Sequence, residues 1–219
     1  VSERQGSVGE RDGYVRLREA IVSGELMPDQ RLVEAELGEA FGLGRAAVRT
    51  ALVRLEQDRL VSREPHRGAK VRRVSVAEAV EVLEARTALE GLAVRHAAER
   101  AGGAEVADLR AILAEMRRLL EDGDLPGVSE ANGRLHRRLL EISGHATARR
   151  LCATLASQTV RFQFRTILAP GRPERSLEEH AAIVDAVAGG DPDAAERAMR
   201  THLSHVADAL RQRREAEVS

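Results

Sequence analysis

The chain has 219 residues, of which 43% are hydrophobic, and its 34 basic and 35 acidic side chains leave a net charge of -1. That apolar content suffices for one large core or two small ones and sets the chain apart from disordered sequences. A lone cysteine excludes an internal disulfide, and three Phe, one Tyr and no Trp exclude an aromatic platform for single-stranded bases.

Residues 1 to about 12 are polar and are expected to be loose. Between Tyr14 and Leu26, Val15, Leu17, Ile21 and Val22 recur at helical spacing, and Gly24 followed by Pro28 ends that helix. A second, short helix is expected over Leu32 to Phe41. Gly42-Leu43-Gly44 then forms a tight turn into a third helix. Its apolar stripe is Ala47, Val48, Ala51, Leu52 and Leu55, with Arg45 and Arg49 one turn apart beside the stripe. The runs LVSRE and AKVRRV have strand composition and flank Pro65-His66-Arg67-Gly68, so a hairpin is expected there. Three helices and a two-stranded hairpin over residues 1–74 describe a winged helix-turn-helix.

From residue 75 to 219 the strand signals vanish. Amphipathic helices are expected near 76–101, 104–122, 125–143, 146–168, 176–189 and 193–213, separated by Gly, Asp and Pro punctuation. Short loops between six helices imply an antiparallel bundle. The expected fold is therefore mainly α, a winged head followed by a six-helix bundle.

Overall charge says nothing about partners, but its distribution does. From Gly44 to Arg73 there are nine Lys or Arg against three acids, a local excess suited to phosphates. Arg45 and Arg49 are placed to bridge guanine in a major groove, where Ala46 and Thr50 would touch a thymine methyl or a phosphate. His66, Arg67 and Gly68 at the hairpin tip are expected in the neighbouring minor groove. The alternative for any lone arginine is a solvated surface; Arg54 and Arg59, at the far end of the helix, are assigned no more than that or a phosphate.

In SGELMPDQRL, GRAAVRTALVRLEQDRLV and HRGAKV the head resembles the GntR family of bacterial transcription regulators. By position, the resemblance puts the DNA-reading residues on Arg45 and Arg49, with His66 and Gly68 in the wing. Gly44, Ala46, Ala47 and Thr50 depart from the family pattern. Glycine is a tolerable helix cap, so the departures bear on the operator sequence rather than on folding.

In the second half, His136, His180 and His202 each share a helical face with apolar residues, and Asn132 lies one turn before His136. One inward histidine is most often a satisfied core residue. Three on three helices, with an amide carbonyl beside one, suit a divalent metal such as zinc, nickel or another late divalent ion. His205 lies at the edge of its stripe, at the surface or behind the ligands; His96 and His145 are read as structural or exposed. Arg86 and Glu90, four residues apart on an apolar face, are either an intrahelical ion pair or, through Arg86, a grip on an effector carboxylate.

ANGRLHRRLLEISGH, LEEHAAIVDAVAGGD and AMRTHL resemble the FCD-type effector domain of the same family. That resemblance implies a metal held by Asn132, His136, His180 and His202, and an arginine at position 86 facing the ligand cavity. Gln158, Arg161 and Arg165 share one side of their helix and are candidates for the same cavity. The expected protein is a ligand-responsive regulator, a repressor by default. It is expected to be homodimeric on an inverted repeat of double-stranded DNA, controlled by a small organic acid, and cytoplasmic, with no membrane partner. Two rivals are a metal-dependent hydrolase using the three histidines, and a helical scaffold whose head contacts protein. The first lacks an H-E-x-x-H pair and an evident general base apart from Glu90; the basic excess weighs against the second.

Overall fold

The computed structural model describes residues 2–64, 68–167 and 169–218, apart from the side chains of 2–12, 64, 160, 161, 163–165 and 213–218. The chain divides into two compact units, Val1–Val74 and Ser75–Ser219.

The first unit runs α1 (Ser2–Ser23), β1 (Arg31–Leu32), α2 (Glu34–Ala40), α3 (Arg45–Gln57), β2 (Val61–Glu64) and β3 (Gly68–Val71). Its core joins Leu17 and Ile21 of α1 to Val48, Leu52 and Leu55 of α3, and closes underneath with Val61 and Val71 of the sheet. Leu17, Val48 and Leu55 are fully enclosed; truncating a leucine at such a site costs about 2–5 kcal/mol. The turn between α2 and α3 depends on Gly42, whose φ of 59° is open to glycine at little cost. Leu43 N–H closes the turn by donating to the Gly38 carbonyl at 2.9 Å. Gly44 then enters α3 with extended backbone and no side-chain cap.

Two features of this unit differ from the sequence expectation. The backbone is already helical from Ser2, not loose to residue 12. With Tyr14–Ser23 anchored on α3, each added turn needs only propagation and no new nucleus. Leu32, expected to open α2, instead forms a two-residue strand with Arg31. Arg31 pairs with Lys70 and Leu32 with Ala69, so the sheet has three strands in the order β1-β3-β2 instead of two. A two-residue strand carries no alternation to read, and its gain is the burial of Leu32 in the core.

The second unit comprises α4 (Val76–Arg100), α5 (Gly103–Glu121), α6 (Leu125–Ile142), α7 (Ala146–Ile167), α8 (Arg172–Ala188) and α9 (Pro192–Val218). α4 packs against α6, α7, α8 and α9, and α5 against α6 and α8. Ser75 caps α4 by accepting from Glu78 N–H at 3.1 Å, and Asp124 caps α6 by accepting from Gly127 N–H at 2.9 Å. α8 begins four residues before the expected position. Pro173 suits a first helical turn, where its missing N–H costs nothing, and this places Arg172 on the helix. The interior holds Leu83, Leu135, Leu139, Ile183, Met199 and Leu203, and among the described residues it also buries the charged or imidazole side chains of Arg86, Glu90, His136, Arg172, His180 and His202.

Candidate metal centre

Charged and imidazole groups are expensive in an apolar interior unless each has a partner, so their pairing shows what the cluster does. α6 contributes His136, α8 His180 and α9 His202, and one nitrogen from each lies within 4.8 Å of the others. His136 Nδ1 donates to Glu90 Oε2 at 2.6 Å, and His202 Nδ1 donates to Glu179 Oε2 at 2.7 Å. A carboxylate only accepts, so both Nδ1 atoms carry a hydrogen, and in the neutral form of each ring the Nε2 lone pair is left free. His136 Nε2 faces His180 Nε2 at 3.3 Å, and His180 Nδ1 is buried without a partner among the described residues.

The donor set fits a divalent ion. Two nitrogens each about 2.1 Å from one tetrahedral ion stand about 3.4 Å apart, close to the His136–His180 separation. Burial, reinforced by the neighbouring imidazoles, holds the pKa of His180 and of His202 well below the ordinary histidine range. Both are therefore neutral near pH 7, the form in which imidazole ligates metal.

The carboxylates behind the rings are held in turn. Arg86 Nε donates to Glu90 Oε1 at 2.7 Å, the intrahelical pair that the spacing of four allows. Burial alone would raise the Glu90 carboxyl, but Arg86 and then His136 outweigh it and keep it well below the usual range. Glu179 accepts from His202 and from Arg172 (2.9 Å) on one oxygen and from His205 (2.7 Å) on the other. His205, about a third exposed, thus stands behind the ligands. Glu179 has no counterpart in the sequence reading. Adjacent to His180, it falls off that histidine's apolar stripe; the one signal for it is that a ligating histidine needs an acceptor for its second nitrogen.

The His136 and His202 rings open onto a cavity of about 30 Å³ lined also by Arg86, Asn132 and Arg172, with apolar walls from Leu83, Val128 and Leu203. Asn132 is half-buried on this wall. α7 contributes Thr166 and Ile167; Gln158, half-buried on the same helix, is not on the lining, and the side chains of Arg161 and Arg165 lie outside the described residues. Burial, with Glu90 nearby, pushes the Cys152 thiol up to about 12, so it stays protonated. His96 pairs with Glu99 at 3.0 Å, and His145 Nδ1 accepts from Ala148 N–H; both are structural.

On the head, Arg45, Ala46 and Arg49 are exposed on the outer side of α3 and Thr50 is half-buried. Arg49 reaches Glu34 at 3.3 Å with its side chain 68% exposed. Arg54 instead lies over the Tyr14 ring, 4.0 Å from its centroid, and so is a packing residue. Gly68 opens β3 with a φ of 83°, a conformation costly for any side chain. His66 and Arg67 lie outside the described residues.

The model of the bacterial regulatory proteins, gntR family, matches residues 13–71, and that of the FCD domain matches residues 81–205. An HTH-type transcriptional regulator in an unstable DNA locus of Streptomyces ambofaciens is 31% identical over 211 residues, covering 96% of this chain and 88% of that protein. The HTH-type transcriptional repressor RspR of Escherichia coli K12 is 29% identical over 202 residues, covering 92% and 89%. Among solved structures, E. coli McbR/YncC superposes with a TM-score of 0.81 at 20% identity, covering 94% of this chain and 98% of that one.

Proposed function

The chain belongs to the GntR family of bacterial regulatory proteins and carries an FCD domain, and from this DNA-binding transcription regulator we propose a repressor controlled by a small organic acid. Its family and relatives are regulators rather than enzymes, so the hydrolase alternative has no support. The observation that carries the reading is the buried trio His136, His180 and His202, of which His136 and His202 share a cavity wall with Arg86. A site built only for stability would have no need of an unpaired guanidinium nitrogen beside three buried imidazoles.

In this reading His136, His180 and His202, with Asn132, hold a divalent ion, zinc in the first instance. When bound, such an ion supplies a localised positive charge for a carboxylate oxygen. The chain's own residues do the remainder. Glu90 and Glu179 fix the ring orientations, Arg86 offers Nη1 to the acid, and Leu83, Val128 and Leu203 keep water away from the contact. In the cytoplasm a homodimer presents two heads to an inverted repeat. Arg45 and Arg49 read bases there, Ala46 and Thr50 lie between them, and the wing from His66 to Gly68 enters the minor groove.

The acid alters DNA occupancy only through different affinities for two arrangements of the protein; coupling of this kind is typically about 1–3 kcal/mol. Gel shifts on a selected operator, with and without a panel of organic acids, test the proposal. A fall in DNA affinity of about 5- to 150-fold with at least one acid is expected. Unchanged affinity across a broad panel overturns it.

A further inference from the structure

Around the histidine cluster the ion pairs form two matching arms. On one, Arg86 donates to Glu90, which accepts from His136; on the other, Arg172 donates to Glu179, which accepts from His202. The two histidines at the inner ends have ring centroids 5.3 Å apart, and both rings and both arginines line one cavity.

Each arginine uses only part of its donor set on its carboxylate. Arg86 Nη1, and Arg172 Nε and Nη1, are buried with no hydrogen-bond partner among the described residues. Arg86 is 3% exposed and Arg172 8%, so bulk water does not serve them, and a buried guanidinium donor is among the costlier groups to leave unpaired. One such nitrogen could be a packing accident. Spare donors on both arms, at a shared cavity, match an anion with two ends.

Charge leads to the same class of ligand. Arg86 balances Glu90, Arg172 balances Glu179, and histidines bound to a cation are neutral. A divalent ion adds two positive charges, and Asn132 neutralises neither of them. With a monocarboxylate one positive charge stays uncompensated in an apolar interior; with a dicarboxylate none does.

We infer that the effector is a short dicarboxylate or hydroxydicarboxylate, one carboxylate taken by Arg86 and the other by Arg172. This rests on the organic-acid reading of the helical unit. The placing of both arginines on one cavity favours a short chain, and the planar fork of arginine favours carboxylate geometry.

Calorimetric titration of the full-length, zinc-loaded protein with succinate and malate, against butyrate and lactate, tests it. Succinate or malate is expected to bind at least about tenfold more tightly than its singly charged counterpart, a difference of about 1.4 kcal/mol. Arg172→Gln should bring that ratio close to one. Arg172→Lys should do the same while keeping a cation beside Glu179, which guards against a Gln variant that does not fold; circular dichroism and zinc content verify both proteins. Equal affinity for the two classes, or an undiminished ratio in folded Arg172→Lys, overturns the dicarboxylate assignment and leaves the organic-acid reading standing. Binding of neither class removes the organic-acid reading itself, and this inference with it.

Discussion

Glu179 serves His202, His205 and Arg172 with two oxygens, so the direction in which His202 points its free nitrogen depends on that carboxylate. Glu179→Gln keeps the shape but weakens the acceptor. Zinc affinity should fall about 10- to 100-fold, as read by competition with a chromogenic chelator; unchanged affinity would mean that packing alone orients the ring. A second residue reports on the head. Tyr14 is the single tyrosine of the chain. Burial first, then its hydrogen bond to Asp58, pushes its phenol up to about 12. Its folded value is above the unfolded value of about 10, so its contribution to stability is complete below pH 10 and is lost as pH rises through 12. Tyrosinate absorbance should therefore titrate near 12 in the native protein. A midpoint near 10 would place the ring in open solvent.

At the scale of the element, the proposed function makes α3 decide what the head can read. The Arg49–Glu34 pair is exposed and worth at most about 1 kcal/mol, whereas a bidentate guanine contact discriminates by about 1–3 kcal/mol. The pair should yield to DNA. Arg49→Ala should therefore cost 5- to 150-fold in operator affinity relative to random duplex while leaving thermal stability nearly unchanged; retained selectivity would take Arg49 out of the reading surface. Much of this element was legible in the sequence, because the period that buries Val48, Leu52 and Leu55 also sets Arg45 and Arg49 outside. The bundle helices were legible for the same reason, and so was the inward turn of His136, His180 and His202. β1 was not, since two residues show no period. Nor were the two carboxylates behind the histidines: the Glu90–His136 bond joins residues 46 apart, and helical periodicity says which face is buried, not which buried face it meets. Arg54 looked like a solvent arginine because its partner, Tyr14, sits on another helix.

For the molecule as a whole, an ion that binds only the folded bundle adds to its stability as RT ln(1 + [L]/Kd), about 4 kcal/mol at a thousandfold excess over Kd. Stripping metal with a chelator should therefore lower the melting temperature, and readdition of zinc should restore it. His136→Ala, His180→Ala and His202→Ala should each be insensitive to both treatments, and stoichiometric metal persisting in all three would remove the site. The dimensions of the interior bear on timing as well. A cavity of about 30 Å³ has room for about two waters, less than any dicarboxylate occupies. Seating the proposed acid would then need the helices to part further, so association would level off at the opening rate however much acid is supplied. Escape would wait on the same motion, and a bound molecule would outlast brief dips in its supply.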